Sequence, residues 1–364
     1  MATRSARLRI GAAHGGAHSL LALPPLQHHA TTHCSSPRGA HCGPLQAAAS
    51  TSFGSFGSSP SGVSSLLGRP ELEQEPFLSR FALGPELGQG SFGNVHSAIN
   101  RASGQEVAVK LVAKQRHAGR NQRSALHREA SLWKRACLAT AQAGQFHAIE
   151  EDASNFYLVS EKCDGGSLQQ MLDTRGVLKE AELGQVAWCV LTFLQGMHQN
   201  SIYYGDLKPG NVILKDAYPC TAEPPCLNVR VVDFGCSQLV SPGSPLRAMS
   251  GSPLFLAPEI ISGAYGLPAD MWAMGCTLYM LVCNRLPFWL EPIPQLECFD
   301  LDAINGGIQY SPVLFAGAKW RGVSEELKDL ICGLLEKDPA RRLTSEQAKQ
   351  HSWFANAKEM CQLE

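Results

Sequence analysis

Acidic residues are missing from the first 70 positions of this chain; the first is Glu71. Lysine is missing there too, so the formal charge of that stretch comes from Arg4, Arg7, Arg9, Arg38 and Arg69 alone. Long apolar runs are absent throughout. None reaches the ~18 residues a membrane-spanning helix needs, and the longest candidate, around residues 271–283, reads as a buried helix. A surplus of either charge sign is absent as well: the formal net charge is −1, which gives no global attraction to nucleic acid or anionic membrane. The 13 cysteines show neither paired Cys-x-x-Cys spacing nor a regular framework. That excludes a zinc ribbon or disulfide scaffold and leaves reduced thiols in an intracellular protein.

What is present is a 364-residue chain, 44% hydrophobic and 17% charged, with enough apolar content for a sizeable core. The opening segment, rich in Ala, Ser, Thr, Gly and His, buries too little apolar surface to offset its ordering entropy, so disorder is expected over residues 1–75. An acid-poor, Arg- and Ser-bearing N-terminus is similar to an organelle transit peptide, and it lacks the unbroken apolar core of a secretory signal. The expected destination is the chloroplast, with the mitochondrion or the cytoplasm as alternatives. His14, His18, His28, His29, His33 and His41 fall in this segment with Cys34 and Cys42, but a flexible stretch is a poor metal site.

Two later stretches carry the chemistry. Residues 203–211 read Tyr-Tyr-Gly-Asp-Leu-Lys-Pro-Gly-Asn, placing a carboxylate at Asp206, an ammonium at Lys208 and an amide at Asn211. Asp233-Phe234-Gly235 follows an apolar run, residues 229–232, with the pattern of a buried strand. Moving a phosphoryl group onto a hydroxyl needs an acceptor for the hydroxyl proton, a cation on the migrating charge, and oxygen ligands for Mg2+. Asp206, Lys208, and the pair Asn211 with Asp233 have those chemistries. Together the stretches resemble the catalytic loop and metal-binding Asp-Phe-Gly of eukaryotic protein kinases.

Upstream, Gly88, Gly90 and Gly93 lie in Gly-Gln-Gly-Ser-Phe-Gly-Asn-Val and let a hairpin backbone lie close over ATP phosphates. Ser91 belongs to the same loop, Phe92 stands at its tip, and Val95 covers the adenine. Dinucleotide-binding folds use such glycines too, but there a helix follows. Here an alternating strand follows, Glu106-Val107-Ala108-Val109-Lys110. Lys110 stands 22 residues after Gly88, as in the kinase pattern in which this lysine holds the α- and β-phosphates. The resemblance adds Ala108 to the nucleotide-contacting set. It also implies that Glu129, on a helix over residues 124–138, pairs with Lys110, and that Trp133 packs toward Phe234 and Tyr204. A strand over residues 156–161 ends in a hinge, where backbone groups of Glu161 and Cys163 are expected to bond the adenine. Ser160 would guard the rear of the pocket.

Downstream, residues 181–199 carry an apolar helical pattern, and residues 215–228 read as a surface excursion whose Cys220 and Cys226 are expected to be unpaired thiols. The activation segment closes with Ala257-Pro258-Glu259. By resemblance Glu259 pairs with Arg342, and Asp270 braces the catalytic-loop backbone. The resemblance covers about residues 77–354 and implies an α+β, bilobal protein-kinase fold. A small β-rich N-lobe with one main helix spans residues 77–163, a larger helical C-lobe spans residues 164–356, and a short tail follows at 357–364. The implied cofactors are ATP and Mg2+, in the cleft between the lobes. Asp-Leu-Lys-Pro and Gly-Ser-Pro are similar to the serine/threonine type, nearest to the calcium/calmodulin-dependent and plant calcium-dependent branch. No EF-hand pattern follows the kinase motifs, so a calcium-sensor domain in the chain is not expected. Expected partners are protein substrates with Ser or Thr acceptors; nucleic acid and a second copy of the chain are not.

Three departures stand out. The family loop reads His-Arg-Asp, and here it reads Tyr204-Gly205-Asp206. Tyr204 can serve as a packing ring, but Gly205 cannot replace the arginine that grips an activation-segment phosphate. Activation without that phosphate is therefore expected; the alternative is a pseudokinase acting as a nucleotide-binding scaffold. Ser167 and Gly210 stand where basophilic relatives carry acids, which speaks against a preference for basic substrates. Cys236, beside the metal-binding triplet, reads as an inert, partly buried thiol, with a redox-sensitive one as the alternative.

Overall fold

Alternating apolar side chains build the first half of the folded chain. The computed structural model describes residues 76–90, 93–115, 119–217, 227–289 and 301–355. A short helix α1 (Phe77–Arg80) leads into β1 (Phe81–Gly90), β2 (Gly93–Asn100) and β3 (Glu106–Ala113), then a long helix α2 (Gly119–Ala139), then β4 (Phe146–Glu151) and β5 (Asn155–Glu161). The five strands form one antiparallel sheet in the order β1-β2-β3-β5-β4.

Successive strand residues point to opposite faces. On one face Val107, Val109, Tyr157 and Val159 pack with Phe77 and Phe81. On the other, Val112, Phe156 and Leu158 meet Leu126, Leu132 and Trp133 of α2. Period two therefore places Ala108 and Lys110 on the same side of β3 as Val112, toward α2. The helix expected over residues 124–138 begins five residues earlier, because its apolar stripe marks only the inner face and the polar first turn carries no such signal.

After β5 the chain is mainly helical. Helix α3 (Leu168–Arg175) starts at a capping box in which the Ser167 hydroxyl accepts from the Gln170 N–H and the Gln170 side chain accepts from the Ser167 N–H. Ser167 thus has a local structural role. Helix α4 (Glu180–Gln199) delivers the chain to β6 (Ile202–Tyr203), and β7 (Val212–Leu214) pairs with β8 (Val229–Val231). Strand β9 (Gln238–Leu239) returns to pair with β6. Helices α5 (Pro258–Ile261), α6 (Pro268–Cys283), α7 (Leu301–Tyr310), α8 (Glu325–Leu334) and α9 (Ser345–Lys349) complete the lobe.

Helix α6 is apolar on every side and accordingly buried all round, with Trp272, Leu278 and Leu281 inaccessible to solvent. Asn284 closes it in the left-handed conformation, its N–H donating to Met280 O. Among the described residues no helix is long and apolar enough to cross a membrane. The expected thiols Cys220 and Cys226, the residue 1–75 segment and the tail at 357–364 lie outside the described residues.

Candidate active site

Three segments far apart in sequence meet at Lys110. Its Nζ lies 2.9 Å from Glu129 Oε1 on α2 and 2.9 Å from Asp233 Oδ1, at the exit of β8. Burial works against the ammonium, but the Asp233 and Glu129 carboxylates outweigh it and hold its pKa above the ordinary lysine value. Burial raises the Glu129 carboxyl above its usual range despite the pull of Lys110. Strand β3 presents the lysine and α2 presents the glutamate, so the pair reports how the helix sits on the sheet.

The second group gathers on the loop of residues 203–211. Asp206, only 8% exposed, accepts from four donors. Its Oδ1 takes the Ser252 hydroxyl at 2.7 Å and the Ser252 N–H at 3.0 Å, and its Oδ2 takes Lys208 Nζ and Asn211 Nδ2, both at 2.9 Å. Lys208 also donates to Ser252 Oγ at 2.7 Å. The loop and the end of the activation segment are therefore one charge-assisted network, with geometry stiffer than any single pair would give. The β7–β8 pairing joins this group to the first. The backbone carbonyl of Asn211, one residue before β7, accepts the Val232 N–H at 3.0 Å, which sets Asp233 beside it.

Asp233 is held in the left-handed region at φ 60°, a conformation that costs a non-glycine residue about 1 kcal/mol and is kept only where surroundings dictate it. Gly235 N–H and Lys110 both donate to its Oδ1. Asn211 makes its side-chain bonds through Nδ2, and no described residue donates to its Oδ1. Two side-chain oxygen donors are too few for an all-protein cage. They suit Mg2+, which is commonly held by one or two protein ligands plus substrate phosphates and water.

An aromatic column supports both groups. Trp133 of α2 stacks on Phe234 at 5.3 Å between centroids, and Phe234 meets Tyr204 edge-on at 5.7 Å. Phe193 of α4 closes the column against Tyr204 at 5.2 Å. Tyr204 is fully buried and donates its hydroxyl to Val232 O; burial pushes its pKa well up, so it stays neutral. Beneath it, the two oxygens of Asp270 accept the N–H groups of Tyr204 and Gly205, each at 2.9 Å. The scaffold pair is formed as well: Arg342 Nη2 meets Glu259 Oε2 at 2.9 Å.

The remaining expected residues line the sheet and hinge. Gly88 pairs with Val95, Gly90 with Gly93, Val95 with Lys110, and Ala108 with Ser160. A Cβ on Gly93 would stand 2.1 Å from Leu111 O, so close approach of β2 to β3 requires glycine there. Ser91 and Phe92 lie outside the described residues. At the hinge, burial pushes the Cys163 thiol up to about 11, and burial likewise raises that of Cys236, which makes both poor nucleophiles at neutral pH.

Some participants had no local signature. Glu161 is expected to act through its backbone, and its carboxylate adds a separate structural role. It accepts Arg230 Nε at 3.1 Å and the Gln145 N–H at 2.8 Å, tying the hinge to β8 and to the residue before β4. Tyr265 pairs its backbone with Leu246 and donates its hydroxyl to Ala248 O at 2.6 Å, pinning the activation segment. Arg230 sits inside an apolar strand and Tyr265 in an ordinary loop, so neither position announces its partner.

Residues 81–354 match the family model described as the protein kinase domain. Among curated proteins, calcium-dependent protein kinase 12 of Oryza sativa subsp. japonica is 31% identical over 276 residues, covering 76% of this chain and 49% of that protein. Calcium-dependent protein kinase 13 of Arabidopsis thaliana is 31% identical over 288 residues, covering 79% and 52%. Calcium-dependent protein kinase 2 of Zea mays is 30% identical over 282 residues, covering 78% and 52%. The chain thus spans about half the length of the curated relatives it matches.

Proposed function

The chain belongs to the protein kinase family, and from that premise we propose that it is an active serine/threonine kinase that transfers the γ-phosphate of ATP to protein hydroxyls. The observation that carries this is the Asp206 carboxylate, ordered by Lys208, Asn211 and Ser252 beside the Lys110–Glu129–Asp233 cluster. ATP with Mg2+ supplies the phosphoryl group and neutralises much of its charge. Lys110, aimed by Glu129, holds the phosphates. Asn211 and Asp233 offer their oxygens to the metal. Asp206 orients the acceptor hydroxyl and takes its proton, and Lys208 stabilises the charge moving between donor and acceptor. Positioning and electrostatics carry most of such a reaction, which suits a site built from fixed side chains.

One feature favours a second reading, a nucleotide-binding scaffold without transferase activity: Gly205 stands where the family carries arginine. A radiolabel-transfer assay separates the two. Wild-type protein is expected to label a mixed protein substrate, with Asp206→Asn and Lys110→Met each at least about a hundredfold slower. Equal background in all three supports the scaffold.

Activity is proposed not to require a phosphate on the activation segment, since position 205 offers no arginine to receive one. Residues 1–75 are proposed to direct the chain to the chloroplast, on the strength of their acid-poor, arginine-bearing composition.

A further inference from the structure

Charge is spread unevenly over helix α2. Its 21 residues hold five arginines and lysines against a single acid, Glu129, which is buried beside Lys110. Leu126, Ala130, Leu132, Trp133 and Ala136 are buried with it, so the helix has a distinct inner and outer face. The outer face carries His127, Arg128, Ser131, Lys134, Arg135 and Leu138, all exposed. Residues 128, 131, 135 and 138 follow one another at steps of three and four, which aligns them in one stripe, and residues 127 and 134 flank it. At 1.5 Å of rise per residue the stripe is about 15 Å long.

The fold makes no use of these cations. No acid stands three or four residues from position 127, 128, 134 or 135, so no ion pair within the helix offsets them. The acids of neighbouring β4 and of the turn after it are engaged elsewhere: Glu150 with Arg80, Glu151 with Lys114 and Arg123, and Asp152 with the Tyr157 hydroxyl. Among the described residues no carboxylate meets His127, Arg128, Lys134 or Arg135. At the end of the stripe Leu138 is 85% exposed, more than any other large apolar side chain among the described residues. Uncompensated cations that run into a bare leucine complement a segment that brings carboxylates and one apolar side chain. Single-stranded nucleic acid would need exposed rings to stack on, and the one aromatic residue of α2, Trp133, is buried. A lipid surface needs a larger apolar anchor than one leucine.

We infer that the outer face of α2 is a docking surface for an acidic protein segment, about five residues in extended form, whose carboxylates meet Arg128, Lys134 and Arg135 and whose apolar side chain covers Leu138. The surface lies on the side of the helix opposite Glu129, so a partner is held without entering the candidate active site. The inference goes beyond the kinase reading above and is independent of it.

The test titrates a labelled short peptide, several glutamates around one leucine with serine elsewhere, with the full chain and follows fluorescence anisotropy. Wild type is expected to bind it, more weakly as salt rises. The charge-reversed protein, Lys134→Glu with Arg135→Glu, should bind about tenfold more weakly and gain for a lysine version of the peptide. Lys134→Gln with Arg135→Gln should fall between the two. Leu138→Ser should lose about threefold, and lose nothing when the peptide leucine is also serine. These positions are exposed, so the variants are expected to melt with the wild type. No binding by wild type, or equal binding by wild type and either the charge-reversed or the Leu138→Ser protein, overturns the inference. So does tighter binding of a single-stranded oligonucleotide or of phosphatidylserine vesicles, which would give the face a different partner. Glu71, Glu73 and Glu75 surround Leu72 in this same chain. If changing those three to Gln strengthens peptide binding, that run is the occupant and the outside partner is rejected.

Discussion

Arg342 shows what a single side chain contributes to this molecule. It is 3% exposed, donates to Glu259 through both Nη1 and Nη2, reaches Pro268 O and Glu336 O at 2.8 Å, and lies over the Trp272 ring at 5.3 Å. Glu259 ends the activation segment, so the pair anchors that segment to the C-lobe core. Removing one partner strands the other charge in a dry environment, which costs far more than the net worth of the intact pair. Arg342→Met is therefore expected to lower unfolding free energy by about 3–5 kcal/mol, read as a drop in the urea midpoint. A loss under about 1 kcal/mol would show that Glu259 finds another partner or that water reaches it. Both residues were readable in sequence because each sits in a recognisable motif. The Glu161–Arg230 contact was not, since a glutamate ending one strand and an arginine inside another carry no mutual signal.

At the scale of elements, the activation segment is organised by backbone. Its start pairs β9 with β6, Val240 N–H donates to Ser201 O, its middle pairs with Tyr265, and its end is bonded to Asp206. Gly205 fits that arrangement. Its φ is 89°, and a Cβ there would stand 2.7 Å from the Tyr203 ring and 2.8 Å from Cys236 O. Phosphate-free protein is accordingly expected to be active; Ser241→Ala and Ser244→Ala, at exposed positions, should stay within about twofold of wild type, and Ser250→Ala, which loses a bond to the Cys236 thiol, should remain active without phosphate. Tyr265→Phe, which removes the hydroxyl bond to Ala248 O, is expected to reduce kcat about three- to tenfold, the equivalent of one lost hydrogen bond of ~1 kcal/mol. Loss of activity in one of the three serine variants, recovered on phosphorylating wild type at that serine, would sink phosphate independence. Residue 252 is set apart because its hydroxyl bonds the Asp206 carboxylate directly.

At the scale of the whole molecule, two compositions share one chain. Residues 81–354 carry the kinase family match, and the acid-free stretch precedes them. If residues 1–75 address the chain to the chloroplast, fusing them to a fluorescent protein should place the fluorescence in plastids of plant cells. The same fusion with Arg4, Arg7 and Arg9 changed to Glu should stay in the cytosol. Mitochondrial or cytosolic fluorescence from the unaltered fusion would reject the address.

Sequence alone determined the fold class, and it singled out residues that the structure brings together at the candidate site. Those residues were legible because their side-chain chemistry is carried by short motifs: Lys110 on an alternating strand, Asp206 with Lys208 and Asn211, and Asp233 after an apolar run. Tertiary structure alone decided the contacts that hold them together, including Tyr265 on the activation segment and Arg230 on the hinge. Those contacts join residues whose only common property is position in space, and position in space is set by the packed core rather than by any local pattern.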